Sequence, residues 1–93
     1  MSYARLVRFA VAPGDSGPIQ ALADELAPQI QAQPGCESVS IFVDDDSGEA
    51  GVFVLWDTAD HSNAAAAIIR PQLDKHHAGH LTVPPDPRLF RVL

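Results

Sequence analysis

A tryptophan and a histidine lie five positions apart in the middle of the chain, and this pair could bind and deprotonate a small molecule. Trp56 combines a large apolar ring with one N–H donor, so it could line a pocket and hold a ligand oxygen. Histidine titrates near neutral pH, so His61 could act as a general base. The alternatives are that Trp56 is a core aromatic residue and that His61 faces solvent at the start of a helix.

Further residues could complete a binding site around this pair. Arg8 and Asn63 could hold an oxyanion through their N–H groups. Val52 and Val54 alternate with Trp56 on one side of a predicted strand and would add apolar walls. Together these side chains would supply hydrogen-bond donors and apolar walls for a small-molecule pocket.

Three histidines form the tightest histidine cluster of the chain: His76, His77 and His80. On a helix the first and last of them would lie one turn apart, and a metal site would need Asp74 or Asp86 as a third ligand. Gly79 and the prolines that follow disfavour a continuous helix, so we predict a polar loop and no metal site.

The first strand and the first helix have clear sequence signals. Tyr3 to Ala12 alternates as a strand with apolar groups on both sides, and the stretch Asp15 to Pro18 can cap a helix start. The helix is indicated by apolar residues spaced at the helical period: Ile19, Leu22, Ala23, Leu26 and Ile30. Pro28 should bend this helix, and Pro34-Gly35 should end it.

A hairpin and a second helix follow. Ser38 to Val43 and Gly51 to Trp56 alternate as strands on either side of an acidic turn, Asp44 to Glu49. Asp60 could cap a second helix that runs through four alanines toward Leu73, with a break or kink at Pro71. We predict a loop from His76 to Pro87 and a final strand from Arg88 to Leu93.

Composition restricts the class of protein. Ninety-three residues fit one domain, 1–93, and a net charge of -6 disfavours nucleic acid and anionic membranes as partners. The single cysteine, Cys36, cannot form an intrachain disulfide, and no segment is long and apolar enough for a membrane span, so we expect a cytoplasmic protein. Cys36 itself is either a small buried hydrophobe or a reactive thiol.

The predicted strands are apolar on both sides, which implies that both sides are covered. Helices of the same chain can cover one side, and a second copy can cover the other. The predicted order β-α-β-β-α-β is that of a ferredoxin-like α+β fold with an antiparallel sheet.

Besides the order of elements, several short sequence motifs resemble those of a known family. They are a Tyr-Ala-Arg-x-Val-Arg-Phe-like first strand, Pro13-Gly14, Glu25-Leu26-x-Pro28, Gln33-Pro34-Gly35-Cys36, an Asp-x-x-Ser-Gly-Glu turn and Leu55-Trp56-Asp57. Over nearly its whole length the chain resembles the antibiotic biosynthesis monooxygenase-like group of the dimeric α/β-barrel proteins.

The resemblance implies a homodimer that joins two sheets face to face, and a choice of functions. Some relatives are cofactor-independent monooxygenases that act on aromatic polyketides or quinols, and others degrade haem. The resemblance therefore favours a small aromatic ligand without a cofactor, with Trp56 and His61 as candidate catalytic residues and Arg8, Asn63, Val52 and Val54 as candidate binding residues. The absence of polar residues from Val52 to Leu55 favours a non-catalytic ligand-binding or stress-related accessory protein, and haem binding is a third alternative.

Overall fold

Four strands and two helices alternate in the order expected from the sequence. The computed structural model describes residues 2–14, 17–77 and 81–93, and it describes their side chains except at 73–77 and 81–86. The elements are β1 (Tyr3–Val11), α1 (Gly17–Gln31), β2 (Cys36–Val43), β3 (Glu49–Trp56), α2 (Ala59–His77) and β4 (Leu81–Arg91).

The strands form one antiparallel sheet in the order β2-β3-β1-β4. This order, with β1 and β3 in the centre and a helix after β1 and after β3, is the ferredoxin-like α+β arrangement, so the predicted fold class is confirmed. In the central pair, Tyr3 lies opposite Trp56 and Arg5 lies opposite Val54. Opposite residues share a face of the sheet, so the register decides which side chains meet the helices.

Both helices pack on one side of the sheet, which we call the helix face. The core there joins α1 to the two central strands and to one alanine of α2, and its buried side chains are Phe9, Val11, Ile19, Leu22, Leu26, Ile30, Ala50, Val52, Val54, Trp56 and Ala65. The buried positions of α1 recur every three or four residues, because one stripe of the helix faces the sheet.

The other side of the sheet, which we call the open face, has no helix over it. It carries apolar side chains in register across the strands: Leu6, Phe53, Leu55, Phe42 and Phe90. Phe42 and Phe90 remain 44% and 47% exposed. A single chain thus leaves aromatic surface in water on this face.

The first helix begins and ends where the sequence indicates. It runs through Pro28 to Gln31, and the backbone N–H of Ala32 donates to the Pro28 carbonyl at 3.1 Å. The chain then turns at Gly35, whose φ is +83°. A side chain here would be strained by this φ and would overlap Asp57 and His61, so glycine is required.

The second helix differs from the prediction at its start. The Thr58 side chain, rather than Asp60, caps it: Thr58 Oγ1 accepts a hydrogen bond from the backbone N–H of His61 at 3.1 Å. Asp60 lies inside the first turn. The helix starts two residues earlier than an Asp60 cap would allow, since the hydroxyl of Thr58 already satisfies a free amide at the helix end.

The last third of the chain also differs from the prediction. The helix continues past Pro71 to His77, and β4 begins at Leu81, so the predicted loop His76 to Pro87 and the strand start at Arg88 are wrong. Leu81 pairs with Val11, and irregular register near Ala10 accommodates the proline-rich stretch. β4 is an edge strand, so only one of its sides pairs with another strand. Prolines are tolerated there, because a missing N–H on the unpaired side removes no hydrogen bond of the sheet.

No helix among the residues whose structure is described is long and apolar enough to cross a membrane.

Candidate functional site

A cavity of about 310 Å³ lies between the helix face of the sheet and the two helices. Its lining is Arg5, Val7, Leu26, Ile30, Ile41, Val52, Val54, Trp56, Ser62, Ala65, Ala66, Ile69, Arg70 and Pro87. An apolar cavity of about 150 Å³ can take benzene, so this one has room for a fused aromatic ring system.

Small side chains on the second helix explain why this space is empty. Ala65 and Ala66 face the cavity, and the central strands below them contribute short branched side chains such as Val52 and Val54. Alanines can let a helix lie close to a sheet or can leave a gap, and the sequence left both outcomes open. In the structure they leave a gap.

Trp56 provides a hydrogen-bond donor at this cavity. It ends β3, is 2% exposed, and its indole Nε1 has no hydrogen-bond partner within the described part of the chain. A buried donor without an acceptor costs on the order of 1 to 3 kcal/mol.

Arg5 brings a positive charge to the same wall. Its Nε donates to Ser62 Oγ at 2.8 Å, and its Nη2 donates to Asn63 Oδ1 at 2.7 Å. Both partners are neutral side chains of α2, and Ser62 is completely buried. Burial lowers the pKa of the Arg5 guanidinium, because part of its hydration is lost.

His61 and Asp57 form a pair beside the cavity-lining residue Ser62. His61 Nδ1 lies 2.7 Å from Asp57 Oδ1, and both side chains are about half exposed. The hydrogen bond from His61 lowers the pKa of Asp57. When Nδ1 donates to the carboxylate, the other ring nitrogen is left as the proton acceptor, which is the tautomer that a base requires.

The structure brings together some of the residues predicted for a site and separates others. Trp56, Val52 and Val54 line the cavity. Asn63 and His61 do not line it, although Asn63 holds Arg5 and His61 precedes Ser62. Arg8 lies on the open face and forms an ion pair with Glu49, away from the cavity. The chemical roles of all these residues stay predictions.

Sequence analysis missed Arg5, Ser62 and Arg70. The signal for Arg5 was its strand alternation, because it shares a face with Val7 and Phe9, and an arginine on a covered face usually has a partner there. Nothing in the sequence indicated which serine would accept its hydrogen bond.

Cys36 is partly buried, and burial raises the pKa of its thiol. A raised pKa keeps the thiol protonated, which favours the small-hydrophobe interpretation over the reactive thiolate.

No group of metal-binding side chains occurs among the residues described. His76 and His77 lie in the last turn of α2, where side chains are not described, and His80 lies outside the described residues. The histidine-cluster hypothesis is therefore not tested.

Solved structures share this fold over the whole chain. SnoaB, a cofactor-independent oxygenase from Streptomyces nogalater, is 18% identical with a TM-score of 0.79, over 99% of this chain and 93% of that one. The monooxygenase from the gene ActVA-Orf6 of Streptomyces coelicolor, in complex with nanaomycin D, is 17% identical with a TM-score of 0.79, over 99% and 88%.

The Rv0793 protein from Mycobacterium tuberculosis is 22% identical with a TM-score of 0.77, over 100% of this chain and 96% of that one. No family model matches the chain, and neither does any curated protein. At these identities the similarity establishes the fold, so the resemblance to the antibiotic biosynthesis monooxygenase-like group is confirmed as a likeness of fold.

Proposed function

We propose that the cavity binds an aromatic small molecule of polyketide or quinol type and that the protein is a cofactor-independent monooxygenase. The observation that carries this proposal is Trp56, which lines a cavity of about 310 Å³ and whose buried indole N–H has no acceptor among the described residues. A ligand oxygen is the acceptor that this donor lacks.

The lining and the structural neighbours support the same class of ligand. Most of the described cavity residues are aliphatic, and the polar groups among them belong to Trp56, Ser62 and the two arginines Arg5 and Arg70. An apolar wall with a few donors suits a ring with oxygen substituents. Two proteins of the same fold are oxygenases, one of them cofactor-independent and the other in complex with nanaomycin D.

The proposed reaction needs only dioxygen besides the substrate. A ring CH₂ group activated by neighbouring oxygens loses a proton, and the resulting anion gives one electron to dioxygen. The substrate radical and superoxide then join through a carbon–oxygen bond, the peroxide takes up a proton, and loss of water leaves a carbonyl. One oxygen atom enters the product, and the other leaves as water with the two substrate hydrogens.

Two residues have proposed roles in this reaction. Trp56 would donate to the oxyanion that forms on deprotonation, in a cavity where few waters compete. His61 is the proposed base although it precedes the lining residue Ser62 and does not line the cavity itself, because Asp57 holds its Nδ1 and leaves the other nitrogen free to accept a proton.

Oxygen uptake with a panel of hydroxylated anthracenes and naphthols tests the proposal. We expect turnover by the wild type and a loss of about 100-fold in Trp56→Phe, since this variant keeps an aromatic ring, although a smaller one, and removes the N–H donor. His61→Gln should lower the rate, because the proposed base is removed. No turnover with any member of the panel would contradict the oxygenase proposal.

A non-catalytic binding protein is the second candidate function. The observation that favours it is the cavity lining, which includes no carboxylate and no imidazole among the side chains described. Binding of naphthols without oxygen uptake would support this candidate. A haem titration tests the third alternative, and an unchanged Soret band would remove it.

We also propose that two copies join through their open faces. The exposed aromatic side chains Phe42 and Phe90 support this, because isolated aromatic surface of this kind favours association. Sedimentation should show a dimer for the wild type and a monomer for Phe53→Glu, with Ala21→Glu on the exposed side of α1 as the control. A monomeric wild type would contradict the proposal.

The cytoplasmic location is likewise a proposal. It is supported by the single cysteine, because proteins of oxidising compartments often contain intrachain disulfides and one cysteine cannot form one.

A further inference from the structure

Arg5 carries a positive charge that has only neutral partners in the described part of the chain. Ser62 Oγ and Asn63 Oδ1 accept hydrogen bonds from Nε and Nη2, and no carboxylate whose side chain is described lies within ion-pair distance. Three further N–H groups of the guanidinium remain available after these two bonds, because arginine has five donors. Because the Arg5 guanidinium is partly buried and has only neutral partners among the described residues, a negatively charged group in the cavity would stabilise it.

The rest of the described lining strengthens this positive field. Arg70 of α2 is the second charged residue at the cavity, and α1, β2 and β3 contribute no titratable side chain to it. The described residue of β4 at the cavity is Pro87, which is neutral. The described lining of the cavity is thus positive, although the chain as a whole has a net charge of -6.

Arg5 and Trp56 belong to the same part of the cavity wall. Tyr3 lies opposite Trp56 and Arg5 lies opposite Val54, so Arg5 and Trp56 are diagonal neighbours on the helix face of adjacent strands. Diagonal neighbours on a sheet are about 7 to 8 Å apart, a distance that one aromatic ring spans.

We propose that the cavity binds its aromatic ligand as an oxyanion, with Arg5 as the charge partner and with Ser62 and Asn63 as the residues that position its guanidinium. This inference rests on the proposed function, because it concerns the same cavity. It specifies the ligand class as ring compounds with an ionisable oxygen, such as phenols and enols. A bound phenol loses its O–H proton to solvent, and the phenolate remains beside Arg5.

The two possible kinds of cavity make opposite predictions for such a ligand. An apolar cavity without charge raises the pKa of a bound phenol, because the phenolate loses its hydration. A cavity with an unpaired guanidinium lowers that pKa, because the charged form gains a partner. The direction of the shift therefore reports on Arg5.

para-Nitrophenol is a suitable probe, because its phenolate absorbs visible light and the compound does not react with dioxygen. Its pKa is measured by absorbance with and without saturating protein. We expect the wild type to lower it by about one unit, which means about tenfold tighter binding of the phenolate than of the phenol. para-Nitroanisole, the methyl ether, should bind with an affinity that does not depend on pH.

Variants separate charge from structure. Arg5→Gln should abolish the downward shift, Arg5→Lys should keep part of it, and Asn63→Ala should reduce it because the guanidinium loses one of its two supports. Arg8→Gln is the matched control, three positions along the same strand and on the open face, and it should leave the shift unchanged. A thermal unfolding curve for each variant confirms that it is folded.

Each result has a definite meaning. A wild-type shift that is zero or upward would overturn the inference while leaving aromatic binding intact. A downward shift that survives in Arg5→Gln would also overturn it, since another group would then supply the charge. If neither para-nitrophenol nor para-nitroanisole binds at any pH, the proposed function fails, and the inference fails with it.

Discussion

Arg5 and Arg8 lie three positions apart on the same strand, yet they have opposite surroundings. Arg5 is on the helix face, where its guanidinium is held by Ser62 and Asn63 and where burial lowers its pKa. Arg8 is on the open face, 60% exposed, and forms an ion pair with Glu49. The comparison shows that residue type alone does not identify the functional arginine.

The register of the sheet is what separates these two side chains. Successive residues of a strand point to opposite faces, so residues an odd number apart cannot share one. An exposed ion pair such as that of Arg8 contributes about 0 to 1 kcal/mol and is screened by salt. The Arg5 guanidinium lies beside a cavity and has only neutral partners among the described residues, so a bound anionic ligand should stabilise it more than it would stabilise Arg8.

The same contrast extends to the two faces as a whole. The helix face has a packed core and one gap, whereas the open face has apolar side chains and no cover from its own chain. Substitutions on the two faces should therefore differ in what they affect.

The largest expected effect comes from removing a core side chain on the covered side. Leu22 is completely buried, so Leu22→Ala should lower the free energy of unfolding by about 2 to 5 kcal/mol, because the loss of transfer energy is joined by the cost of a cavity. Denaturant unfolding in a Phe53→Glu background, in which the open face should be bare, measures this.

The comparison is with Leu6→Ala on the open face in the same background. Leu6 is only half-buried in the single chain, so Leu6→Ala should lower the free energy of unfolding clearly less than Leu22→Ala does. Equal decreases in the free energy of unfolding for the two variants would mean that both faces are equally packed within one chain. That result would contradict the difference between the faces.

A glycine on the open face offers the next largest effect. At Gly51 an added Cβ would overlap the Phe42 ring and lie 2.8 Å from the Val7 carbonyl oxygen, which belongs to the backbone of the neighbouring strand. Gly51→Ala should lower the free energy of unfolding by about 1 to 3 kcal/mol, because the ring can move but the strand cannot.

Gly17→Ala is the control for this substitution, since its Cβ would meet nothing within 4 Å. Thermal unfolding of both variants compares the two positions. If Gly51→Ala were as stable as Gly17→Ala, there would have to be room for a methyl group at Gly51, which the structure does not show.

The smallest expected effect concerns pH and the half-exposed pair of Asp57 and His61. The His61 hydrogen bond lowers the pKa of folded Asp57, so the carboxylate stabilises the fold above the ordinary aspartate pKa. This contribution is lost as pH falls through the lowered pKa of the folded state. Asp57→Asn should therefore flatten the acid limb of a stability–pH curve.

Glu49→Gln tests whether this effect is specific to the Asp57 pair. It removes the carboxylate of the exposed pair on the open face and, as a surface change, should alter stability by no more than about 0.5 kcal/mol. An acid limb that is identical in Asp57→Asn and the wild type would contradict the role of the His61 hydrogen bond.

Local patterns predicted most of the fold. The helical stripe of α1 and the alternation of β1, β2 and β3 depend on neighbouring residues alone, and all four elements are present. The end of α2 and the start of β4 were misjudged, because Pro71 and the prolines after Val83 argue locally for a loop. Pairing of β4 with β1 outweighs that local preference, since an edge strand needs donors on one side only.

The candidate site was predictable only in part. Trp56, Val52 and Val54 were expected together because they alternate on one strand, and all three line the cavity. Arg5 was not expected, because its role depends on Ser62 and Asn63, which are more than fifty positions away in the chain.

The sequence by itself determined the order of strands and helices, the apolar character of both sheet faces and the presence of a tryptophan at the end of β3, because these follow from periodicity and residue type. Only the tertiary structure decided which arginine reaches the cavity, that the alanines of α2 leave a gap, and that the indole N–H has no acceptor among the described residues. These depend on how the second helix lies across the sheet, and that placement is set by long-range packing rather than by any local pattern.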